Sequence, residues 1–219
     1  MMIDVEARHK YSHRQDIEKR FWDKFAKRYD AFMKMAAREY PDLINMILTD
    51  VKPDNVVLEI ACGTGIISLA VSRKVHQVYA TDISRAMIDV ATAKAKQEKI
   101  QNIVFSVQDG YSLNFEDHTF DACVIANAFH VMQEPGEALK EIRKVLKPEG
   151  LLIAPAYCHG ENLKARFISW LISLTGFKAY HKFTVSSFSN FIEGAGFSIL
   201  KNQVLKSRFP LAYVLAKPV

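Results

Sequence analysis

The chain has 219 residues, of which 49% are hydrophobic and 24% are charged, and both fractions are ordinary for a globular protein. A chain of this length can bury a large core, so a disordered chain, a collagen and a disulfide-rich miniprotein are excluded. Lys and Arg number 29 against 24 Asp and Glu, which gives a formal net charge of +5. Residues 10–28 form a basic block with interspersed acids, which fits a solvated helix face or a surface for phosphate or anionic lipid.

A helical block is predicted at the start of the chain. Apolar and aromatic side chains recur there at steps of three and four, which is the period of an amphipathic helix. They are Phe21, Trp22, Phe25, Tyr29, Phe32 and Met33. Pro41 is predicted to open a second helix, because its missing N–H and fixed φ suit the first helical turn.

From residue 56, short apolar runs alternate with helical segments, which predicts βαβ units and a parallel sheet. The predicted strands are 56–60, 77–81, 103–107, 122–126 and 151–156, and the predicted helices are 66–74, 84–99 and 134–146. Two further runs, 197–205 and 211–216, have a short connection that favours an antiparallel hairpin. The predicted fold is α/β: a doubly wound, mostly parallel seven-stranded sheet with helices on both faces, N-terminal helices and a C-terminal antiparallel hairpin.

Gly63 and Gly65 lie where the first predicted strand turns into a helix. Without a Cβ, glycines let the backbone turn tightly and approach a ligand, and the helix N-terminus behind them offers free N–H groups. Asp82 ends the next strand, where a carboxylate can accept both hydroxyls of a ribose. Loop and acid together indicate a nucleoside-containing cofactor at the carboxyl edge of the sheet.

Glu59 bears on the identity of that cofactor. The dinucleotide fingerprint needs a third small residue, and Ser68 is only a partial match at that place. Glu59, four residues before Gly63, is awkward beside a pyrophosphate but suits a cofactor with an ammonium group and a positive sulfur. These features favour S-adenosylmethionine, with an NAD-dependent oxidoreductase as the alternative.

These segments resemble the class I, Rossmann-like S-adenosylmethionine-dependent methyltransferases. The first motif of that family is similar to residues 57–65, the second to residues 80–84 with Met87, and the third to residues 107–110. Residues 139–150 are also typical of the family. The resemblance covers the chain from about residue 22 to the C-terminal hairpin, but says little about the substrate.

The resemblance implies how the cofactor is held, with S-adenosylhomocysteine as the product. Gly63 and Gly65 would line its methionine part, and Glu59 would help to hold the amino group. Asp82 would hold the ribose hydroxyls.

The resemblance also implies contacts with the adenine. Ile83 would pack on the ring, Asp109 would accept a hydrogen bond from the amino group, and Gly110 would let the backbone approach. The remaining predicted cofactor-binding residues are Tyr29, Ala61, Met87 and Asn127. Core packing is the alternative for Tyr29, Ile83 and Met87, and a turn is the alternative for Asp109.

Asn127 and His130 follow the fourth predicted strand, whose end points at the cofactor edge. His130 is a candidate general base near neutral pH, or a residue that only shapes the pocket. The DNA amino-methylating branch of the family carries an Asn/Asp-Pro-Pro-Tyr type of motif here, so the sequence Asn127-Ala128-Phe129-His130 argues against DNA as a partner.

Residues 161–175 are predicted to form a helix that is apolar nearly all round in its second half. Three interpretations of the segment 161–182 stay open: core, a cover over an apolar or lipid-like acceptor, and peripheral contact with a membrane. Cys158 and His159 are adjacent, but no further residue joins them at metal-ligand spacing, so no metal is expected.

The cysteines and the N-terminal residues indicate the cellular compartment of the protein. Cys62, Cys123 and Cys158 are an odd number without paired spacing, which suits reduced thiols. The start is polar, without the apolar segment of a secretory signal, and the longest uncharged apolar stretches are shorter than the roughly 20 residues that span a bilayer. We therefore expect a cytoplasmic protein.

We expect one methyltransferase domain over 1–219, with a helical cap over 1–50, a cofactor-binding core over 51–157, and substrate-side helices with the terminal hairpin over 158–219. The expected enzyme, of the general class EC 2.1.1, transfers a methyl group to a small-molecule acceptor, apolar or lipid- or quinone-like. RNA methylation is an alternative that the positive charge favours and that no added RNA-binding module supports. A non-catalytic adenosyl-binding scaffold is another. The acceptor, the methylated atom and the oligomeric state do not follow from the sequence.

Overall fold

The computed structural model describes residues 19–33, 38–161, 179–205 and 210–219. Helix α1 covers residues 19–33, where the aromatic stripe predicts a helix. Helix α2 spans Tyr40–Asp50 with Pro41 in its first turn, as predicted. The predicted helix at 161–175 lies, apart from residue 161, outside the described residues.

Strands and helices then alternate along the chain, and all predicted elements between residues 56 and 157 are confirmed. They are β1 (Val56–Ile60), α3 (Ile66–Ser72), β2 (Gln77–Asp82), α4 (Arg85–Gln97), β3 (Ile103–Val107), β4 (Phe120–Ile125), α5 (Pro135–Val145) and β5 (Leu146–Tyr157). The described chain ends with α6 (Val185–Gly194), β6 (Phe197–Leu205) and β7 (Leu211–Pro218).

In the described part of the chain the strands form one seven-stranded sheet, in the order β3-β2-β1-β4-β5-β7-β6. The pairs from β3 to β5 are parallel, and β7 runs antiparallel to both β5 and β6, which confirms the predicted reversed hairpin. The strand order reverses between β1 and β4, so the loops that leave these two strands diverge. Such a switch point is where open α/β sheets bind ligands.

An apolar core covers each face of this sheet. Leu43 of α2 and Val71 of α3 pack in one core with Val57 of β1. Leu139 of α5 and Phe188 of α6 pack in the other core, against strand side chains that point to the opposite face of the sheet. Both faces of the sheet are covered, which explains why the strands are apolar along nearly their whole length.

Two elements differ from the predicted ones. Helix α6 does not belong to the predicted set; it begins at a capping box formed by Thr184 and Ser187 and buries Phe188 and Ile192. Strand β5 begins at Leu146, earlier than predicted, because the chain stays paired with β4 across an irregularity in register.

The cysteines Cys62, Cys123 and Cys158 are buried and free. In the described ranges, no helix combines the length and apolarity needed to cross a membrane. The division into cap, core and substrate-side segments stays a prediction.

Candidate functional site

A cleft opens at the carboxyl edge of the sheet, at the switch point between β1 and β4. Residues that follow β1, β2, β3 and β4 line it, together with one face of α1. Nine predicted site residues line the cleft: Tyr29, Ala61, Gly63, Asp82, Ile83, Met87, Asp109, Gly110 and Asn127. The carboxyl ends of parallel strands meet at one edge, which is why residues far apart in sequence come together here. Their roles toward a cofactor stay predictions.

The loop after β1 is shaped by left-handed backbone conformations. Ala61, Gly63 and Gly65 have φ values of 55°, 56° and 78°. At Gly63 this conformation turns the N–H toward Asp82, which accepts it at Oδ2 over 2.8 Å. The N–H of Ser84 donates to Oδ1 of the same carboxylate over 2.9 Å, so Asp82 joins the loops after β1 and β2.

Asp82 is ionised at neutral pH although it is only 7% exposed. Burial raises the pKa of its carboxyl to about 6, and the backbone hydrogen bonds from Ser84 and Gly63 oppose that rise. A carboxylate offers about four lone-pair sites, and the two backbone bonds use two of them. Asp82 therefore keeps acceptor capacity at the wall of the cleft.

Glu59 and Gly65 lie behind the loop instead of lining the cleft. The Glu59 carboxyl accepts a hydrogen bond from the Ser68 hydroxyl, and burial together with the nearby charge of Asp82 raises its pKa to about 8. A Cβ at Gly65 would lie 3.0 Å from Cβ of Ala91, so this glycine lets α3 approach α4. The contacts of Glu59 and Gly65 with the methionine part of the cofactor stay a prediction.

Asp109 and Gly110 form a turn after β3. The N–H of Tyr111 donates to Oδ1 of Asp109 over 3.1 Å, so the turn that is the alternative to an adenine contact for Asp109 is present. A Cβ at Gly110 would lie 3.0 Å from Ile60 and 3.2 Å from Met132. A side chain here would therefore displace both neighbours.

Helix α1 lies over the cleft and is tied to the loops beneath it. Asp23 accepts from the Ser84 hydroxyl over 2.5 Å and from the N–H of Ala86 over 3.2 Å, at the start of α4. Asp30 accepts from the hydroxyl of Thr64, in the glycine loop, over 2.5 Å and pairs with Lys94 over 2.5 Å. The two carboxylates therefore join α1 to the segments that follow β1 and β2.

These tethers and several lining residues are not among the predicted site residues. The added lining residues include Trp22, Gln108, Tyr111, Val131 and Met132. The i, i+7 spacing of Trp22 with Tyr29, and of Asp23 with Asp30, is a sequence signal that could have found part of the set. Such a spacing puts each pair on one helix face.

Asn127 is held in an unusual conformation at the end of β4. Its φ is 53°, and its N–H donates to the carbonyl of Pro155 over 2.8 Å. Its Nδ2 donates to the hydroxyl of Tyr40 over 3.2 Å, while Oδ1 is buried and accepts no hydrogen bond from the described chain. A buried acceptor without a donor is costly, so a ligand donor beside Asn127 would be stabilising.

His130 is 4% exposed and lies outside the lining of the cleft. Its ring centroid lies 4.9 Å from that of His159. Burial, with a smaller contribution from His159, lowers the pKa of His130 to about 3, and burial lowers that of His159 to about 4. Both rings are therefore neutral at pH 7. In the described ranges, no three His, Cys, Asp or Glu side chains form a group that could hold a metal ion.

Residues 58–154 match a family model described as a methyltransferase domain. Together with the sheet order and the glycine-loop cleft, this match agrees with the resemblance to the class I S-adenosylmethionine-dependent methyltransferases. S-adenosylmethionine is the cofactor that the family implies.

Individual proteins are similar to this chain at moderate identity. The uncharacterized methyltransferase YcgJ of Bacillus subtilis is 30% identical over 135 residues, which cover 61% of this chain and 53% of YcgJ. The ubiquinone/menaquinone biosynthesis C-methyltransferase UbiE of Hydrogenovibrio crunogenus is 33% identical over 110 residues, 48% of this chain and 43% of UbiE. The chain thus spans about half the length of these curated relatives.

The fold also agrees with solved structures. A SAM-dependent methyltransferase from Aquifex aeolicus superposes with a TM-score of 0.70 at 20% identity, over 90% of this chain and 98% of that one. At this identity the likeness concerns the fold alone.

The cleft fits the cofactor that the family implies. The buried Oδ1 of Asn127 lacks a donor within the described chain. Asp82 adds a carboxylate with acceptor capacity left over. A ligand with vicinal hydroxyls and an ammonium group supplies donors to both side chains.

Proposed function

We propose that this chain is a methyltransferase that transfers a methyl group from S-adenosylmethionine to a small-molecule acceptor. The observation that carries the proposal is the Asp82 carboxylate, held between the N–H groups of Gly63 and Ser84 at the wall of the cleft. A carboxylate fixed in this way accepts the two hydroxyls of a ribose.

Two halves of the cleft would hold the two ends of the cofactor. Gly63 and Asn127 follow β1 and β4, and Tyr29 of α1 lies against Gly63; we assign all three to the methionine half. The adenine half would meet Ile83 and Asp109, at the ends of β2 and β3. The bound sulfonium supplies an already activated methyl group, so the protein contributes chiefly position and orientation.

The lining of the cleft favours a small acceptor of low charge. Among the described lining residues the charged side chains are Asp82 and Asp109, both acidic. A nucleic acid acceptor would bring phosphates that need Lys or Arg, which the described lining does not supply. The similarity to a quinone-biosynthesis C-methyltransferase supports an apolar, quinone-like acceptor. Peripheral membrane contact through 161–182 stays a prediction.

Calorimetric titration with S-adenosylhomocysteine and with NAD tests the cofactor. We expect binding of the first and none of the second; the reverse would contradict the proposal in favour of an oxidoreductase.

A transfer assay with a labelled methyl donor then tests activity over quinol, lipid, amine and thiol acceptors. We expect transfer to a quinol or another apolar acceptor. Binding of the cofactor without transfer to any class would instead support a non-catalytic scaffold.

A further inference from the structure

Tyr40 contacts two residues of the cleft without lining it. Its hydroxyl accepts a hydrogen bond from Nδ2 of Asn127 over 3.2 Å and lies near the hydroxyl of Tyr29. Tyr40 is the first residue of α2 and is 9% exposed, packed in the same core as Leu43 and Ile47. The hydroxyl is therefore held in place by a helix and by a core.

The contact with Asn127 decides which end of its amide remains available. Because Nδ2 is used by Tyr40, Oδ1 is the atom that can accept a further hydrogen bond. Oδ1 is buried and receives no donor from the described residues, and the backbone that carries it is fixed at φ 53°. Without Tyr40 the amide could turn over and present a donor instead of an acceptor.

The contact with Tyr29 reaches the other wall of the cleft. Tyr29 belongs to α1, and a Cβ at Gly63 would lie 3.6 Å from its ring. The Tyr40 hydroxyl thus lies between the glycine-loop wall and the end of β4, in the half that we assign to methionine.

We propose that Tyr40 is a positioning residue that keeps Oδ1 of Asn127 turned toward the ammonium group of the cofactor. An ammonium group has three N–H donors and no acceptor, so it requires the acceptor orientation of the amide. The inference rests on the proposed function, because it assigns the ligand of this cleft.

The test compares two ligands that differ at the methionine end. S-adenosylhomocysteine carries the ammonium group, and 5′-methylthioadenosine lacks it. Tyr40→Phe should weaken binding of the first by roughly 10- to 100-fold, in the range of hydrogen bonds to charged groups, and of the second by less than about twofold. Tyr213→Phe is the matched control, since its hydroxyl donates to Asp50 over 2.6 Å and it does not line the cleft.

A double-mutant cycle separates positioning from general support of the fold. Asn127→Gly removes the amide and tolerates the left-handed backbone. If Tyr40 acts through Asn127, the double variant should bind S-adenosylhomocysteine no more weakly than Asn127→Gly alone.

Equal losses for both ligands, additive losses in the cycle, or unchanged affinity in a folded Tyr40→Phe would each overturn the inference while leaving the proposed function standing. Failure of the wild type to bind either ligand would overturn both.

Discussion

Burial sets the charge of the individual acids and histidines around the cleft. Glu59 has a pKa of about 8 because its carboxyl is buried, so it is largely protonated at pH 7. Asp82 is also buried, but two backbone N–H groups donate to it and its pKa is about 6. His130 is neutral, with a pKa of about 3. At neutral pH, Asp82 is therefore the charged member of these three.

Replacing Asp82 by Ala should weaken binding of S-adenosylhomocysteine by about 1.5–3 kcal/mol, the range for hydrogen bonds to a charged group. Adenosine should lose a similar amount, because it carries the same ribose. Isothermal titration of both ligands measures this, with Asp89→Ala as a control, since Asp89 is an exposed acid on α4. An unchanged dissociation constant in a folded Asp82→Ala variant would sink the ribose assignment.

His130→Ala should raise the KM for the acceptor more than it lowers kcat, without adding a pH dependence. The reason is that a pKa of about 3 makes the neutral His130 ring a weak base and that the ring lies outside the cleft, so it can shape the pocket but is poorly suited to remove a proton. A pH–rate profile of the wild type and the variant measures this. A turnover loss of about a hundredfold that shrinks at high pH would show instead that His130 is the general base.

We expect helix α1 to act as an attached cover over the cleft. One of its faces supplies Trp22 and Tyr29 to the lining, and two acids seven residues apart bind the loops below. Asp30 is joined to the glycine loop through Thr64, and Lys94 donates to the Thr64 carbonyl over 3.0 Å. Cofactor exit would therefore require these contacts to break or to move with the helix.

Asp30→Ala should raise the dissociation rate of S-adenosylhomocysteine about fivefold, since a partly exposed pair and a hydroxyl hydrogen bond together contribute about 1 kcal/mol. Stopped-flow fluorescence of Trp22 in a Trp170→Phe background, which removes the second of two tryptophans, would report the rate. Asp89→Ala again serves as the control. If release from Asp30→Ala is as slow as from the control, the tether does not hold the cover closed.

The stability of the whole molecule should depend on pH through its buried ionisable groups. The folded pKa of Glu59 is about 8 against an ordinary value of 4.5, so the folded state retains a proton that the unfolded chain has lost between these pH values. The free energy of unfolding therefore falls as pH rises through this window. His130 and His159 act in the opposite sense below pH 6.5, since their pKa values are lowered on folding and acid favours the unfolded chain.

Between about pH 7.5 and 8.5 the two histidines are largely neutral in both states, so Glu59 is the group among these whose protonation differs most between the folded and unfolded states. The free energy of unfolding of the ligand-free wild type should fall across this range by at most about 1.4 kcal/mol per pH unit. Glu59→Gln should remove that slope, because the amide does not titrate. Urea unfolding at both pH values measures it. The same slope in the variant would show that another group is responsible.

The local pattern by itself determined the elements and the sheet edge that carries the site. Strands β1, β3 and β6 are predicted to the residue, because runs rich in β-branched and other apolar residues, bounded by polar residues, Gly or Pro, indicate a strand without reference to its partners. The glycines and acids at the strand ends predicted most of the position of the cleft, since the carboxyl ends of parallel strands meet at one edge of the sheet.

Only the tertiary structure decided which side chains meet across that edge. Asp23 meets Ser84 from 61 residues away, and Asn127 meets Tyr40 from 87 residues away. Periodicity states which face of a helix is buried, but not which residue it is buried against. The same reason applies to His130, whose place outside the cleft and beside His159 depends on how two loops pack after β4 and β5.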